Sequence, residues 1–312
     1  MATSGSVNFS VNRDRMIELA MKGAGKLEDE EVPTASEGQD VSDILNMMLK
    51  SFQQKGLKLW LRKKATVFLK KSTNQYSLSS TGAHATYSYT RTQIKVAASA
   101  TNTSIDVDST TGMTASDFIG FELDDGTSYW TTITSVTDTD TVVIPSPGIT
   151  SAAAVDNYVY FFTLKIDRPL RILQAFVRDA DSNDTPVEII SQKDYLDLSS
   201  KTSDGQVTQI HYDPQTSAGI LYVWPETDDV TDTLEVTVQR QIEDMDSATN
   251  DFDVPNEWYE PILYGLMERV GIHFQIPERM LRRISIKATS SLEDALNFDV
   301  ENTSLFLSPE TR

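Results

Sequence analysis

The sequence predicts an α+β protein: a helical bundle from the N- and C-terminal segments, with a long β-rich middle that contains a β insertion. Three observations carry this reading. Apolar residues recur at helical spacing before residue 56 and again after about residue 256. Between residues 86 and 255, Thr, Val, Ile and Tyr dominate, broken by TTG (110–112), DDGT (124–127), PSPG (145–148), SDG (203–205) and DPQT (213–216). Two amphipathic helical ends of this length bury their stripes most readily against each other. The expected organisation is 1–85 (helices and first strands), 86–160 (β insertion), 161–255 (β-rich core), 256–297 (helices) and 298–312 (extended tail).

Taken in order, Ile17, Ala20 and Ala24 mark a first helix from Arg13, ended by Gly23 and Gly25. Ser36 with Gln39 three residues on reads as a capping box for a second helix, with Val41, Ile44, Leu45, Met48 and Phe52 on its apolar face. From Leu57 to Arg62 the alternation of Leu with Lys, Trp and Arg has strand spacing, and ATVFL (65–69) and QYSL (75–78) continue as short strands. Leu263, Leu266, Met267, Val270 and Phe274 restore the helical period. Pro277 then restarts a helix that carries Leu281, Ile284, Ala288, Leu292 and Ala295.

The chain has 312 residues, a formal charge of −19 and no cysteine. These values exclude a disulfide framework, thiolate chemistry and overall attraction to nucleic-acid phosphates. The start of the sequence lacks a signal-peptide pattern, and the longest apolar run, YVYFFTL (158–164), is too short to span a bilayer. Charge is uneven: residues 73–253 carry a net −19, whereas residues 1–72 carry +3. A soluble protein with two chemically different surfaces is expected.

The stretch GFELDDGTSYW (120–130) poses the clearest choice between chemistry and architecture. Asp124 and Asp125 resemble a carboxylate pair. Asp-Gly between two strand-like runs is nevertheless a strong hairpin signal, because the turn needs residues that tolerate positive φ. Asp124, Asp125 and Gly126 are therefore read as a hairpin tip. DVDSTTGMTASD (106–117) and DADSND (179–184) lack the glycine and the terminal glutamate of a calcium loop and read as solvated loops. His84, His211 and His273 stand at no ligand spacing and read as surface or satisfied interior residues. No nucleophile elbow, phosphate loop or dinucleotide fingerprint is present, so neither catalysis, a metal nor a cofactor is expected.

Between residues 50 and 71 there are eight Lys or Arg and no acid. Lys58, Arg62, Lys63, Lys64, Lys70 and Lys71 form a candidate docking patch for an acidic partner, nucleic acid or the acidic middle of a neighbouring copy. The alternative is a strand pair with one solvated basic face. Trp60, Trp130, Trp224 and Trp258 read as core residues first and interface anchors second, and Met47 and Met48 as core rather than a ligand box.

Five segments together resemble head-to-tail adaptor proteins of tailed bacteriophages. They are VSDILNMMLKSFQQKGLKLWLRKK; RPLRILQAFVRD; EIISQKDYLDLSSKTSDGQVTQIHYDPQTSAGILYVWPETDD; LEVTVQRQIEDMD; and DFDVPNEWYEPILYGLMERVGIHFQIP. Order and spacing agree over nearly the whole chain, and 86–160 looks like a β insertion that some members carry. Pro261 departs from the pattern, where a helix-friendly residue is expected. The resemblance implies a structural virion protein at the head–tail junction, assembled in the host cytoplasm as a ring of usually twelve copies. Its implied partners are the portal protein, the next tail component (nozzle or tail tube) and other copies of itself. DNA would pass through the channel without specific binding, and no membrane is involved. It also implies a C-terminal portal-binding segment, here with Phe298, Leu305, Phe306 and Leu307 as anchors. A tail-tube or nozzle ring protein is the nearest alternative. A carbohydrate-binding β module, using Trp130 on the strands at 120–133, is the alternative from another class.

Overall fold

The computed structural model describes residues 5–55 and 59–300. In chain order, α1 (Arg13–Gly23) and α2 (Ala35–Gln53) precede β1 (Arg62–Phe68), β2 (Gln75–Leu78), β3 (Ala85–Thr86) and β4 (Thr90–Gln93). Then come β5 (Ser104–Asp106), β6 (Phe118–Glu122), β7 (Ser128–Thr132), β8 (Ser135–Val136), β9 (Thr141–Val143) and β10 (Tyr158–Phe162). β11 (Arg171–Arg178), β12 (Asp184–Ile189), α3 (Gln192–Asp197), β13 (Gln209–Pro214), β14 (Gly219–Trp224) and β15 (Thr233–Gln239) complete the β-rich middle. α4 (Tyr259–His273) and α5 (Glu278–Phe298) close the described chain. The architecture is thus mixed α and β, with a large, mostly β middle and helices toward both ends. Two compact units result: a helical one from residues 1–61 and 242–312, and a β one from 62–241.

In the helical unit, residues far apart in sequence share one apolar cluster. Met16, Ile17, Ala20 and Met21 of α1 and Val41, Leu45, Met48 and Phe52 of α2 pack with Ile262, Leu266 and Val270 of α4 and Ile284 of α5. Trp258 joins them, its ring centroid 5.9 Å from that of Phe52 and 5.8 Å from that of Trp60. The segment after residue 241 runs along α2. Lys50 Nζ donates to the Ile242 carbonyl (2.6 Å), and the Asn46 carboxamide exchanges hydrogen bonds with the Met245 backbone. Buried backbone groups outside a ladder need such side-chain partners.

Several local expectations are corrected here. The α2 cap is Thr34 with Glu37, not Ser36 with Gln39; Thr34 Oγ1 accepts from Glu37 N, and the Glu37 carboxylate accepts from Thr34 N. Residues Leu59–Leu61 form a 3₁₀ turn rather than a strand. Their alternation is too short to distinguish the two. Met47 is exposed, while Met48 is fully buried, because only Met48 falls on the α2 stripe. Phe298 ends α5 and is not part of an extended tail. Pro261 sits in the first turn of α4, where its missing N–H has no intrahelical partner to lose.

The β unit is centred on β15, paired antiparallel with β1 and β11, in the sheet order β2-β14-β13-β12-β11-β15-β1-β3. Alternation along these strands separates two faces. Ala65, Val67, Leu234, Val236, Val238, Ala175 and Val177 supply an apolar core shared with Tyr76, Ile210, Leu221 and Val223. The opposite face carries Lys64, Thr66, Glu235, Phe176 and Arg178. Residues 90–162 add a four-stranded sheet (β4-β10-β6-β7) and a three-stranded one (β5-β9-β8) around their own cluster of Ile94, Ile105, Ile119, Phe121, Val142 and Val159.

Candidate functional site

The hairpin tip is formed as expected, and its chemistry is structural. β6 pairs with β7, Gly126 N donates to the Leu123 carbonyl (3.0 Å), and Gly126 adopts φ 73°. Asp124 Oδ1 accepts from Ala154 N (2.8 Å) and Asn157 Nδ2 (2.9 Å). Asp125 Oδ1 accepts from the Thr127 hydroxyl (2.6 Å) and backbone N–H (3.0 Å), which holds its carboxyl below the usual aspartate range. Asp125 is committed to its own turn, and Asp124 ties the tip to the loop at 154–157. The two do not face a common point at which a substrate atom would sit.

The calcium-loop segments behave alike. Asp106 accepts from Thr141 Oγ1, Asp117 from the Thr114 N–H and hydroxyl, and Asp179 from Asn183. Among the described residues no group of three or more His, Asp or Glu is arranged to hold a metal ion. His211 and His273 lie apart, one against the Ile190 carbonyl and one 3.7 Å from Asp40.

β1 splits the basic run across the sheet. Lys63 stands over the Tyr87 ring at 4.2 Å, while Lys64, on the other face, stands 5.9 Å from the Phe176 centroid. A single solvated basic face is therefore not what forms, since successive strand residues point to opposite sides. Lys71 lies beside the hairpin tip: a Cβ added at Gly126 would come within 3.4 Å of Lys71 Nζ. Lys58 lies outside the described residues.

Trp130 is embedded in an aromatic cluster with Phe68, Tyr160 and Phe162. Its indole stacks on His84 at 4.3 Å and covers Gly120, the residue paired with it across the strands. A Cβ at Gly120 would lie 2.5 Å from the ring. The ring that a sugar would need as a platform is thus already engaged. His84 Nδ1 is buried with no hydrogen-bond partner among the described residues, so this histidine is not a satisfied interior residue. Burial, with Lys165 and Lys70 nearby, lowers its pKa to about 3.

Two charged features escaped sequence reasoning. Antiparallel pairing of Arg178 with Thr233 brings the following Asp179 and the preceding Asp232 to the same end of β11 and β15. Asp232 is only 9% exposed as a residue, although its carboxylate oxygens are not among the buried unpartnered atoms of the described residues. Its neighbours are Asp229, Asp179 and Asp228, and burial followed by their charge raises its carboxyl to about 6. In the helical unit, Arg279, Arg282 and Arg283 are exposed in the first two turns of α5, with exposed Ile286 one turn on. None of the three arginines has an ion-pair partner among the described residues, whereas Lys287 is paired with Glu260 at 2.7 Å. In the sequence these arginines were visible only as the start of a helix after Pro277.

Of the portal-binding candidates, Phe298 is 75% exposed at the end of α5, followed by exposed Val300. Leu305, Phe306 and Leu307 lie outside the described residues. No described helix is long and apolar enough to cross a membrane. Neither a protein-family model nor a curated protein matches this chain.

Proposed function

We propose that this chain is a structural virion protein, an adaptor that forms a ring between the portal and the tail of a tailed bacteriophage and continues the DNA channel. The observation that carries this reading is the surface of the helical unit. Of the fourteen large apolar side chains exposed among the described residues, nine belong to it, including Val7, Phe9, Val32, Met47, Ile272 and Phe298. That share on the smaller of the two units supports reading it as the partner-facing one. In this reading the terminal helices act as one bundle, and the exposed Phe298 at the end of α5, with the segment that follows it, engages the portal. The β middle, with residues 86–160 as an inserted module, keeps its polar turns in solvent. The acidic balance of the chain suits a channel along which DNA slides without adhering.

The test is to mix the full chain, and a version truncated after Asn297, with the portal of the same virus. Sedimentation and negative-stain imaging provide the readout. Rings that form on the portal and are lost on truncation are the expected result. Rings that form alone and ignore the portal would move the protein down the tail, to a tube or nozzle component.

A further inference from the structure

We propose that the β module formed by residues 90–162 is a hinged body that acid releases from the main sheet, with protonation of His84 as the trigger. Every group involved belongs to the β unit, and the adaptor reading is not required.

The module is carried on two short chain segments, 87–89 leading in and 163–165 leading out. Backbone bonds fix the sheet side of both: Phe68 N donates to the His84 carbonyl (3.0 Å) and Ile166 N to the Ala85 carbonyl (2.9 Å). Thr86 Oγ1 ties the segments together by donating to the Leu164 carbonyl (2.9 Å). Beyond that point the attachment changes character. The strands β4–β10 pair only with one another, in two sheets of their own. Among the described residues no hydrogen bond or ion pair joins 90–162 to the rest of the chain. What docks the module is a set of rings: Trp130, Tyr160 and Phe162 lie 4.7, 5.1 and 5.8 Å from Phe68 of β1. Apolar contacts are non-directional, so such a joint can part without breaking either body.

The joint also holds polar atoms that gain water on parting. His84 Nδ1 and Ser128 Oγ are both buried with no hydrogen-bond partner among the described residues. Ser128, two residues before Trp130 on β7, lines a cavity of about 10 Å³ with Phe68, Tyr160 and Val230, at the lower limit for one water. His84 comes from the sheet side and stacks on Trp130. β6, β7 and β10 face it with Phe118, Trp130 and Phe162, none of which titrates. The charged groups that act on it are Lys165 and Lys70, both cations. Lys165 is held there, its Nζ donating to the Gly82 carbonyl (2.6 Å) and standing 4.8 Å from the Phe118 ring centroid. An imidazolium at this place would be desolvated beside like charge. His84 therefore titrates at about 3 when docked and at its ordinary 6.5 when released into water. Because docking lowers the pKa, it is strongest above pH 6.5 and weakens as pH falls toward 3. Across that window the open fraction grows about tenfold for each pH unit.

The chain has no cysteine, so one introduced thiol is a unique reporter. Ser128→Cys places it at the joint, Ser135→Cys at an exposed site of the module, and Ala175→Cys in the core of the main sheet. Each full-length variant is labelled between pH 7.5 and pH 4 with dithiodipyridine, which reacts with thiols in acid as well as at neutral pH. The labelling rate of Ser128→Cys, divided by that of Ser135→Cys, is expected to rise about a hundredfold or more as pH falls. Over the same range the Ala175→Cys thiol stays protected. With His84→Phe added the ratio should stay flat, because phenylalanine keeps a ring against Trp130 and takes up no proton. The proposal is overturned if the ratio ignores pH or if His84→Phe shows the same rise. It is equally overturned if the Ala175→Cys thiol becomes reactive in step with Ser128→Cys, since the unit would then be unfolding as a whole.

Discussion

Asp232 and His84 titrate in opposite senses, and each can be isolated by one substitution. The Asp232 carboxyl is raised to about 6 by burial and neighbouring acids, from an ordinary value of 3.8. The folded state therefore holds this proton more tightly than the unfolded state. Its contribution is fully present below about pH 4 and is lost as pH rises through 6. Asp232→Asn is expected to raise stability at pH 7.5 by about 1 kcal/mol, discounted for the solvent at this rim, and to change little at pH 4. Urea midpoints at the two pH values check this. His84 runs the other way, because its folded pKa is lowered to about 3 from 6.5. The unfolded histidine takes up a proton below pH 6.5 and the folded one does not, so stability falls as pH drops toward 3. His84→Phe keeps a ring against Trp130 and should flatten that acid limb. Neither behaviour was legible in the sequence. Both depend on what surrounds the side chain: beside Asp228 and Asp229, which are close in sequence, Asp232 meets Asp179 from a strand end more than fifty residues away.

At the level of elements, short-range signals were read well where a single geometry satisfies them. The β6–β7 hairpin is set by Asp-Gly and needs nothing distant. The α2 start was misplaced by two residues because Thr34/Glu37 and Ser36/Gln39 both fit the same pattern. Glu37 prevails through a third partner, Lys26 at 2.9 Å, and its carboxyl is held at about 2 by Lys26 and by the Thr34 side chain and N–H. Thr34→Ala should cost about 1 kcal/mol in thermal or urea unfolding, while Ser36→Ala should cost much less. The short helix α3 was missed although Ser191 caps it by accepting from Asp194 N; six residues are too few to show a period. Gly120→Ala tests the cross-strand packing. The added methyl must displace the Trp130 ring, so a loss of about 2 kcal/mol is expected, with a change in tryptophan emission.

For the whole molecule, the helix–β–helix order was legible, because period 3.6 and period 2 occupy separate stretches of the chain. The assignment of residues to the two units follows from packing that joins α1 and α2 to α4 and α5 across the β segment. Residues 62–241 expressed alone are expected to melt cooperatively with a β-type circular dichroism spectrum, since their clusters are complete. Residues 1–61 alone should show no cooperative transition, lacking Trp258, Ile262, Leu266 and Val270. The same arrangement has a consequence during synthesis. About 180 residues separate α2 from the segments that cover it, which at ribosomal speed is roughly ten to forty seconds. Throughout that interval the stripe of Val41, Leu45, Met48 and Phe52 is bare on a nascent chain, the kind of surface that holdase chaperones bind. The β unit is the first part of the molecule to mature, and α1 and α2 become structure only after the ribosome has finished with almost everything else.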